Sequence, residues 1–269
     1  MYPYPLFLDV TLYDVLVLIG VIAAFFVFVL YADKLKLPKK IQILVLISAV
    51  VGVGLGFVAA GLVQSIYFYI ENGTFKWQGM TFYGGLIGGA AFFLGAYFLG
   101  GYLWFRKSET PNLHLKHAMQ TFGIVICAVT IAHAIGRIGC LTAGCCHGEV
   151  FEEARWYTLP IHRITNSGKL LRIEHAVPIP MYETFFLLDL FALLSWRVLK
   201  RKGDALPMYM VLYGVWRFCI EYARADDRGE TLLNILSPSQ LTAILMILGG
   251  VALFVVYYKV IKKREQKSE

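Results

Sequence analysis

Seven runs of mainly apolar residues divide the chain, at about 10–31, 41–70, 82–104, 119–138, 180–198, 206–223 and 237–261. Each is near the roughly 20 residues that a helix needs to cross a hydrocarbon core about 30 Å thick. Unpaired backbone groups do not survive in hydrocarbon, and no run shows the alternation of a barrel strand, so the runs are expected to be helices. The predicted fold class is an all-α integral membrane protein, a bundle of about seven transmembrane helices. Composition agrees. Of 269 residues 58% are apolar and 16% charged, against about 25% charged in soluble domains, and the mean hydropathy is +0.63.

The formal net charge of +7 raises the question of nucleic acid, and the placement of the charge answers it. Cytoplasmic loops collect Lys and Arg. Alternate connections and the C-terminal tail hold 15 of them, among them Lys34, Lys36, Lys39, Lys40, Arg106, Lys107, Lys116 and Lys200–Lys202, against 7 on the other side. This predicts an N-terminus outside and a C-terminal tail in the cytoplasm, and gives no support to a nucleic-acid partner. The N-terminus carries Asp9 and Asp14 and no Lys or Arg before the first run, so that run lacks the basic flank of a cleavable signal peptide and is expected to be a retained helix. No linker or repeat interrupts the chain. One polytopic domain over 1–269 is expected, with 139–179 forming a small extracytoplasmic head.

Ionisable groups inside membrane helices are costly and draw attention to function. In the sixth run Tyr213, Arg217, Glu221 and Arg224 fall at i, i+4, i+8 and i+11, within one arc of a helix. Arg217 and Glu221 form either an ion pair that joins helices or a braced guanidinium that binds an anion, since the Arg fork matches phosphate geometry. In the fourth run His133, Arg137 and Cys140 share a face in the same way. Two arginines at one depth on different helices would make a pocket for a lipid phosphate, with Glu221 holding Arg217. Gly52, Gly54 and Gly56, and Gly84, Gly85, Gly88 and Gly89, read as small-residue contacts between helices.

Three cysteines and a histidine lie within Cys140-Leu141-Thr142-Ala143-Gly144-Cys145-Cys146-His147-Gly148. A metal site is one reading, although C-x4-C-C-H is not a common ligand spacing, and no metal is expected. A disulfide of Cys140 with Cys145 or Cys146 is a second, in an oxidising compartment. The third is small apolar lining of a tight turn.

Taken together, Gly79–Gly88, Gly136-Arg137-Ile138-Gly139-Cys140 through Gly148, Met181-Tyr182-Glu183, Tyr213-Gly214-Val215-Trp216-Arg217-Phe218 with Glu221 and Arg224, and Leu236-Ser237-Pro238-Ser239-Gln240 resemble, in order and spacing, the prolipoprotein diacylglyceryl transferases. The resemblance spans about 79–249. It implies a multi-pass protein of the bacterial cytoplasmic (inner) membrane that transfers the diacylglyceryl group of phosphatidylglycerol to the lipobox cysteine of a prolipoprotein signal peptide. Glycerol phosphate is the leaving group, membrane lipid supplies the donor, and no cofactor is needed.

By the same resemblance Arg137 is the signature arginine, Gly148 closes that signature, and Arg217, Glu221 and Tyr213 match the sixth-helix set. Gly84, Gly85, Cys140, Gly148, Tyr213, Arg224 and Glu183 are then expected around the substrate. Tyr83 stands where the family usually has His, and a Tyr of reference pKa near 10 is a poor base. His147 and His133 are therefore the candidates for taking the thiol proton, with His147 favoured for its place in the outer turn.

Overall fold

The structure is a computed structural model in which residues 4–7, 10–77, 79–164, 170–225 and 236–261 are described, apart from the side chains of 71, 82, 83, 260 and 261. A short hairpin of β1 (Pro5–Phe7) and β2 (Val10–Thr11) leads into α1 (Leu12–Lys34), α2 (Lys39–Asn72), α3 (Phe82–Phe105), the single turn α4 (Leu113–Lys116) and α5 (Ala118–Ala143). Strands β3 (Val150–Phe151), β4 (Leu159–Ile164) and β5 (Leu170–Ala176) follow. The chain then returns to helix in α6 (Ile179–Leu199), α7 (Ala205–Ile220) and α8 (Pro238–Val256).

Among the described residues six helices are long and apolar enough to cross a bilayer: α1, α2, α3, α5, α6 and α8. Their outward faces are apolar as well, with Leu18, Val21, Phe26, Val50 and Ile70 all more than half exposed, which in water would be a large unsatisfied patch. The chain is thus an all-α integral membrane protein. The sixth apolar run of the sequence forms α7 with 16 residues, about 24 Å at 1.5 Å per residue and short of the core by itself. A 3-10 turn, Glu221–Ala223, continues it.

The helices fall into two compact units, 32–121 and 1–31 with 122–269. In the first, α2 and α3 meet along their glycines. A Cβ on Gly52 would sit 3.0 Å from the Gly89 carbonyl, one on Gly56 3.0 Å from the Gly89 Cα, and one on Gly88 2.4 Å from the Ala59 Cβ. Gly84 and Gly85 face Val63, Ala59 and Ala60 in the same seam. These are the small-residue contacts expected from the sequence, except at Gly54, which faces away from the seam, a Cβ there meeting nothing within 4 Å. Thr81 caps the start of α3 by accepting from the Gly84 N–H at 3.3 Å.

In the second unit α5, α6, α7 and α8 carry the polar side chains of interest. Pro178 and Pro180 start α6, where a missing N–H does no harm. A capping box of Ser237 and Gln240 starts α8. α7 packs on α8 through Gly214 against Ala243 and Ile247, and through Gly250 against Pro207 and Met210. The Phe186 and Trp216 rings stack at 4.4 Å between α6 and α7. Segment 139–179, expected only as a loop, contains the antiparallel sheet β3-β5-β4, with Ile161 opposite Glu174 and Arg163 opposite Arg172. Most of loop 224–236 and the basic tail beyond 261 lie outside the described residues.

Candidate active site

The polar centre of this unit is Glu183, in the second turn of α6 and fully buried. An isolated carboxylate there would be strongly disfavoured, and three groups face it. Arg137 Nε lies 3.0 Å from Oε2, as an ion pair rather than a well-aligned hydrogen bond. The Tyr213 hydroxyl donates to Oε1 at 2.9 Å. His133 Nε2 stands 3.7 Å from the same oxygen, its ring edge-on to Tyr213 at 5.2 Å. Tyr209 stacks on Tyr213 at 5.4 Å. Helices α5, α6 and α7 are thereby joined by one charge and its donors.

The second pair lies on α7. Arg217 Nη2 is 2.7 Å from Glu221 Oε2 and also donates to Ser239 Oγ at 2.7 Å. Ser237 donates its hydroxyl to Glu221 Oε1 at 2.8 Å. Because Ser237 also caps α8 by accepting from Gln240 N–H, the start of α8 fixes the Arg217–Glu221 pair. Arg217 is only 8% exposed, and its Nη1 is buried without a hydrogen-bond partner among the described residues. A buried guanidinium nitrogen left open in this way costs free energy unless something fills it. Tyr213, which meets the Glu183 carboxylate beside Arg137, lies one turn before Arg217 on α7, which brings the two guanidiniums toward the same region.

Gly148 ties the ends of α5 and α7 together. It forms a β-bridge with Arg224, donates its N–H to the Val177 carbonyl at 2.9 Å, and approaches so closely that a Cβ would stand 2.6 Å from the Ala223 carbonyl. Only glycine allows this contact. His147 is held by its neighbours: Nδ1 faces the Gly148 carbonyl at 2.8 Å and Nε2 faces Arg163 at 3.4 Å. Arg163 in turn pairs with Glu174 at 2.8 Å and holds that carboxyl below the usual carboxylate range. None of the five cysteines is disulfide-bonded.

The sequence-predicted residues therefore divide. Arg137, Cys140, His133, Glu183, Tyr213, Arg217, Glu221, Arg224, His147 and Gly148 belong to the same compact unit. Gly84 and Gly85 belong to the other, where they serve helix contact, and the side chain of Tyr83 lies outside the described residues. Sequence reasoning missed that Glu183 is the counter-ion of Arg137, that Ser239 braces Arg217 and that Ser237 braces its partner Glu221. The S-x-x-Q pattern of Ser237 to Gln240 was the available signal for the latter.

A family model described as Prolipoprotein diacylglyceryl transferase matches residues 4–256. Among curated relatives, phosphatidylglycerol–prolipoprotein diacylglyceryl transferase 2 of Clostridium perfringens is 32% identical, over 66% of this chain and 62% of its own. The transferase of Clostridium tetani is also 32% identical, over 66% and 64%. That of Clostridioides difficile is 26% identical over 97% and 96%. The chain spans under two thirds of the length of the first two relatives.

Proposed function

Since the chain belongs to the prolipoprotein diacylglyceryl transferase family, we propose that it moves the diacylglyceryl group of phosphatidylglycerol to the cysteine thiol of a prolipoprotein. The observation that carries this reading is the open Nη1 of buried Arg217, held in place by Glu221 and Ser239. A guanidinium fixed through one nitrogen and free at another suits a phosphate arriving from the lipid phase. Arg137 supplies the second positive charge, and Glu183 orients it.

In the reaction the thiol sulfur forms a bond to the terminal glycerol carbon of the diacylglyceryl group. The carbon–oxygen bond to phosphate breaks, and the electron pair leaves with glycerol phosphate. Negative charge develops on that oxygen, and preorganised guanidiniums in a low-dielectric site are well suited to stabilise it. The thiol proton needs an acceptor. His133 is the better candidate on geometry, because its Nε2 stands 3.7 Å from the Glu183 carboxylate, whereas both ring nitrogens of His147 are engaged, one by the Gly148 carbonyl and one by Arg163. This reverses the preference that sequence position alone gave.

The same reading places the protein in the bacterial inner membrane, as one polytopic domain with its N-terminus outside and the 139–179 head on the outer face. α7 with its 3-10 turn, Ala205–Ala223, would reach about 30 Å at 1.5 and 2.0 Å per residue, which supports a seventh crossing. Phosphatidylglycerol and a prolipoprotein signal peptide are the partners, with no cofactor and no nucleic acid. The test is incubation of the purified chain in phosphatidylglycerol vesicles with a lipobox peptide. The peptide should gain the mass of a diacylglyceryl group, and its serine analogue should not. If neither gains mass, the bundle binds lipid without transferring it and the proposal fails.

A further inference from the structure

The turn that follows α5 has a chemistry that lipid transfer does not use. Helix α5 ends in a Schellman motif: Cys145 N–H donates to the Cys140 carbonyl at 3.2 Å and Gly144 N–H to the Leu141 carbonyl at 3.2 Å, with Gly144 in the left-handed region at φ 71°. That motif brings together the residue three from the helix end and the second residue beyond it. Here both are cysteines, Cys140 and Cys145. Cys146 then adopts φ 59°, a left-handed conformation that is strained for a residue other than glycine. The result is that all three sulfurs converge, with their Sγ atoms within 4.8 Å of one another.

The geometry points to a thiophilic metal centre formed by Cys140, Cys145 and Cys146, taking a zinc-class ion with the fourth position open. At a metal–sulfur bond of about 2.3 Å, tetrahedral ligands stand about 3.8 Å apart, so closing the present separations by about 1 Å completes the site. A disulfide needs about 2.05 Å between two sulfurs and would leave the third without a role. Cys145 is exposed and Cys140 and Cys146 are half-buried, which gives an ion access from water. Three thiolates on a divalent ion leave one net negative charge, and compensation is at hand in Arg137, whose Nη1 lies 4.0 Å from Cys140 Sγ. His147 is not the fourth ligand here, since its two ring nitrogens face Gly148 and Arg163. A bound ion would clamp the turn between Arg137, one of the two arginines of the lipid site, and Gly148.

The test uses the full chain in detergent, reduced, treated with chelator and titrated with Co2+. A thiolate-to-cobalt charge-transfer absorption should saturate at one ion per chain and vanish when Zn2+ is added. Cys145→Ser and Cys146→Ser should each weaken Co2+ binding by about 100-fold or more, beyond what loss of a supporting group does, while Cys219→Ser, remote from the turn in sequence, should change nothing. Zn2+ should also raise the unfolding temperature of the wild type but not of Cys145→Ser, which separates ligation from misfolding. The proposal is overturned if no charge-transfer absorption appears, if it survives both serine variants, or if the isolated protein carries a disulfide among these cysteines and binds no Co2+ after reduction.

Discussion

The carboxylate of Glu183 lies 3.0 Å from the guanidinium of Arg137, joining α6 to α5 where solvent does not reach the carboxylate. Removing one partner of a buried pair leaves the other charge uncompensated, which typically costs about 3–5 kcal/mol. Glu183→Gln keeps the shape and a hydrogen-bond acceptor for Tyr213, so its effect isolates the charge. Thermal unfolding in detergent should show a loss of that size, with transfer activity greatly reduced. Tyr213→Phe deletes only the donor to Glu183 at 2.9 Å and should cost about 1–3 kcal/mol. Equal stability of Glu183→Gln and the wild type would mean that the pair does not hold the helices.

The proton acceptor is open to a direct comparison. His133→Ala should lower the rate of transfer by two orders of magnitude or more, the usual scale for loss of a general base. His147→Ala should lower it much less, and Tyr83→Phe least. Steady-state rates with a lipobox peptide check the order. If Tyr83→Phe abolishes transfer while His133→Ala leaves it intact, the hydroxyl is the working group and the assignment to His133 is wrong.

Gly148 is expected to tolerate no side chain. An added Cβ meets the Ala223 carbonyl at 2.6 Å, together with Val177 and Ile179 at 3.1 and 3.2 Å, and a backbone atom cannot step aside as a flexible side chain can. Gly148→Ala should therefore separate the ends of α5 and α7, reducing activity and lowering the unfolding temperature together. Gly54→Ala, at a glycine whose Cβ would meet nothing within 4 Å, is the control and should retain both.

A second buried carboxylate makes a pH-dependent prediction. Asp204, just before α7, is fully buried. Burial opposes its ionisation, but hydrogen bonds from Arg197 at 3.1 Å and Tyr258 at 2.7 Å outweigh it and hold its carboxyl below the usual carboxylate range. A folded-state value below the unfolded one of about 3.9 means that the stabilisation is fully present above that pH and is lost as pH falls through the folded value. Asp204→Asn should cost about 3 kcal/mol at neutral pH, the low end for a broken buried pair. It should also flatten the acid limb of stability below about pH 4, as followed by denaturation in detergent.

Much of the site was legible because its residues are close in sequence. Arg217 and Glu221 stand four apart on a helix, so their pairing follows from helical geometry, as does the shared face of His133, Arg137 and Cys140 once α5 is seen to run to Ala143. The glycines of α2 and α3 announced their own contact by spacing. The Arg137–Glu183 pair was not legible in this way, because it joins helices separated by the whole head segment, and no local pattern encodes which carboxylate meets which guanidinium. The strands at Leu159–Ile164 and Leu170–Ala176 were missed because charged residues break their apolar alternation. The converging sulfurs were hidden because linear spacing does not show the Schellman turn that folds Cys145 back onto Cys140.

The central claim is that two carboxylate-braced arginines hold the lipid phosphate while it becomes the leaving group. Its most direct measurement is release of glycerol phosphate from phosphatidylglycerol vesicles in the presence of lipobox peptide, for wild type, Arg137→Lys, Arg217→Lys and Glu221→Gln. Lysine keeps the charge but not the fork. Release matched one for one by lipidated peptide is expected from the wild type, with each lysine variant reduced by about 100-fold or more, on the scale of losing one preorganised donor. Glu221→Gln should fall between them and the wild type. Wild-type release that both lysine variants reproduce, or no release from the wild type at all, would contradict the account.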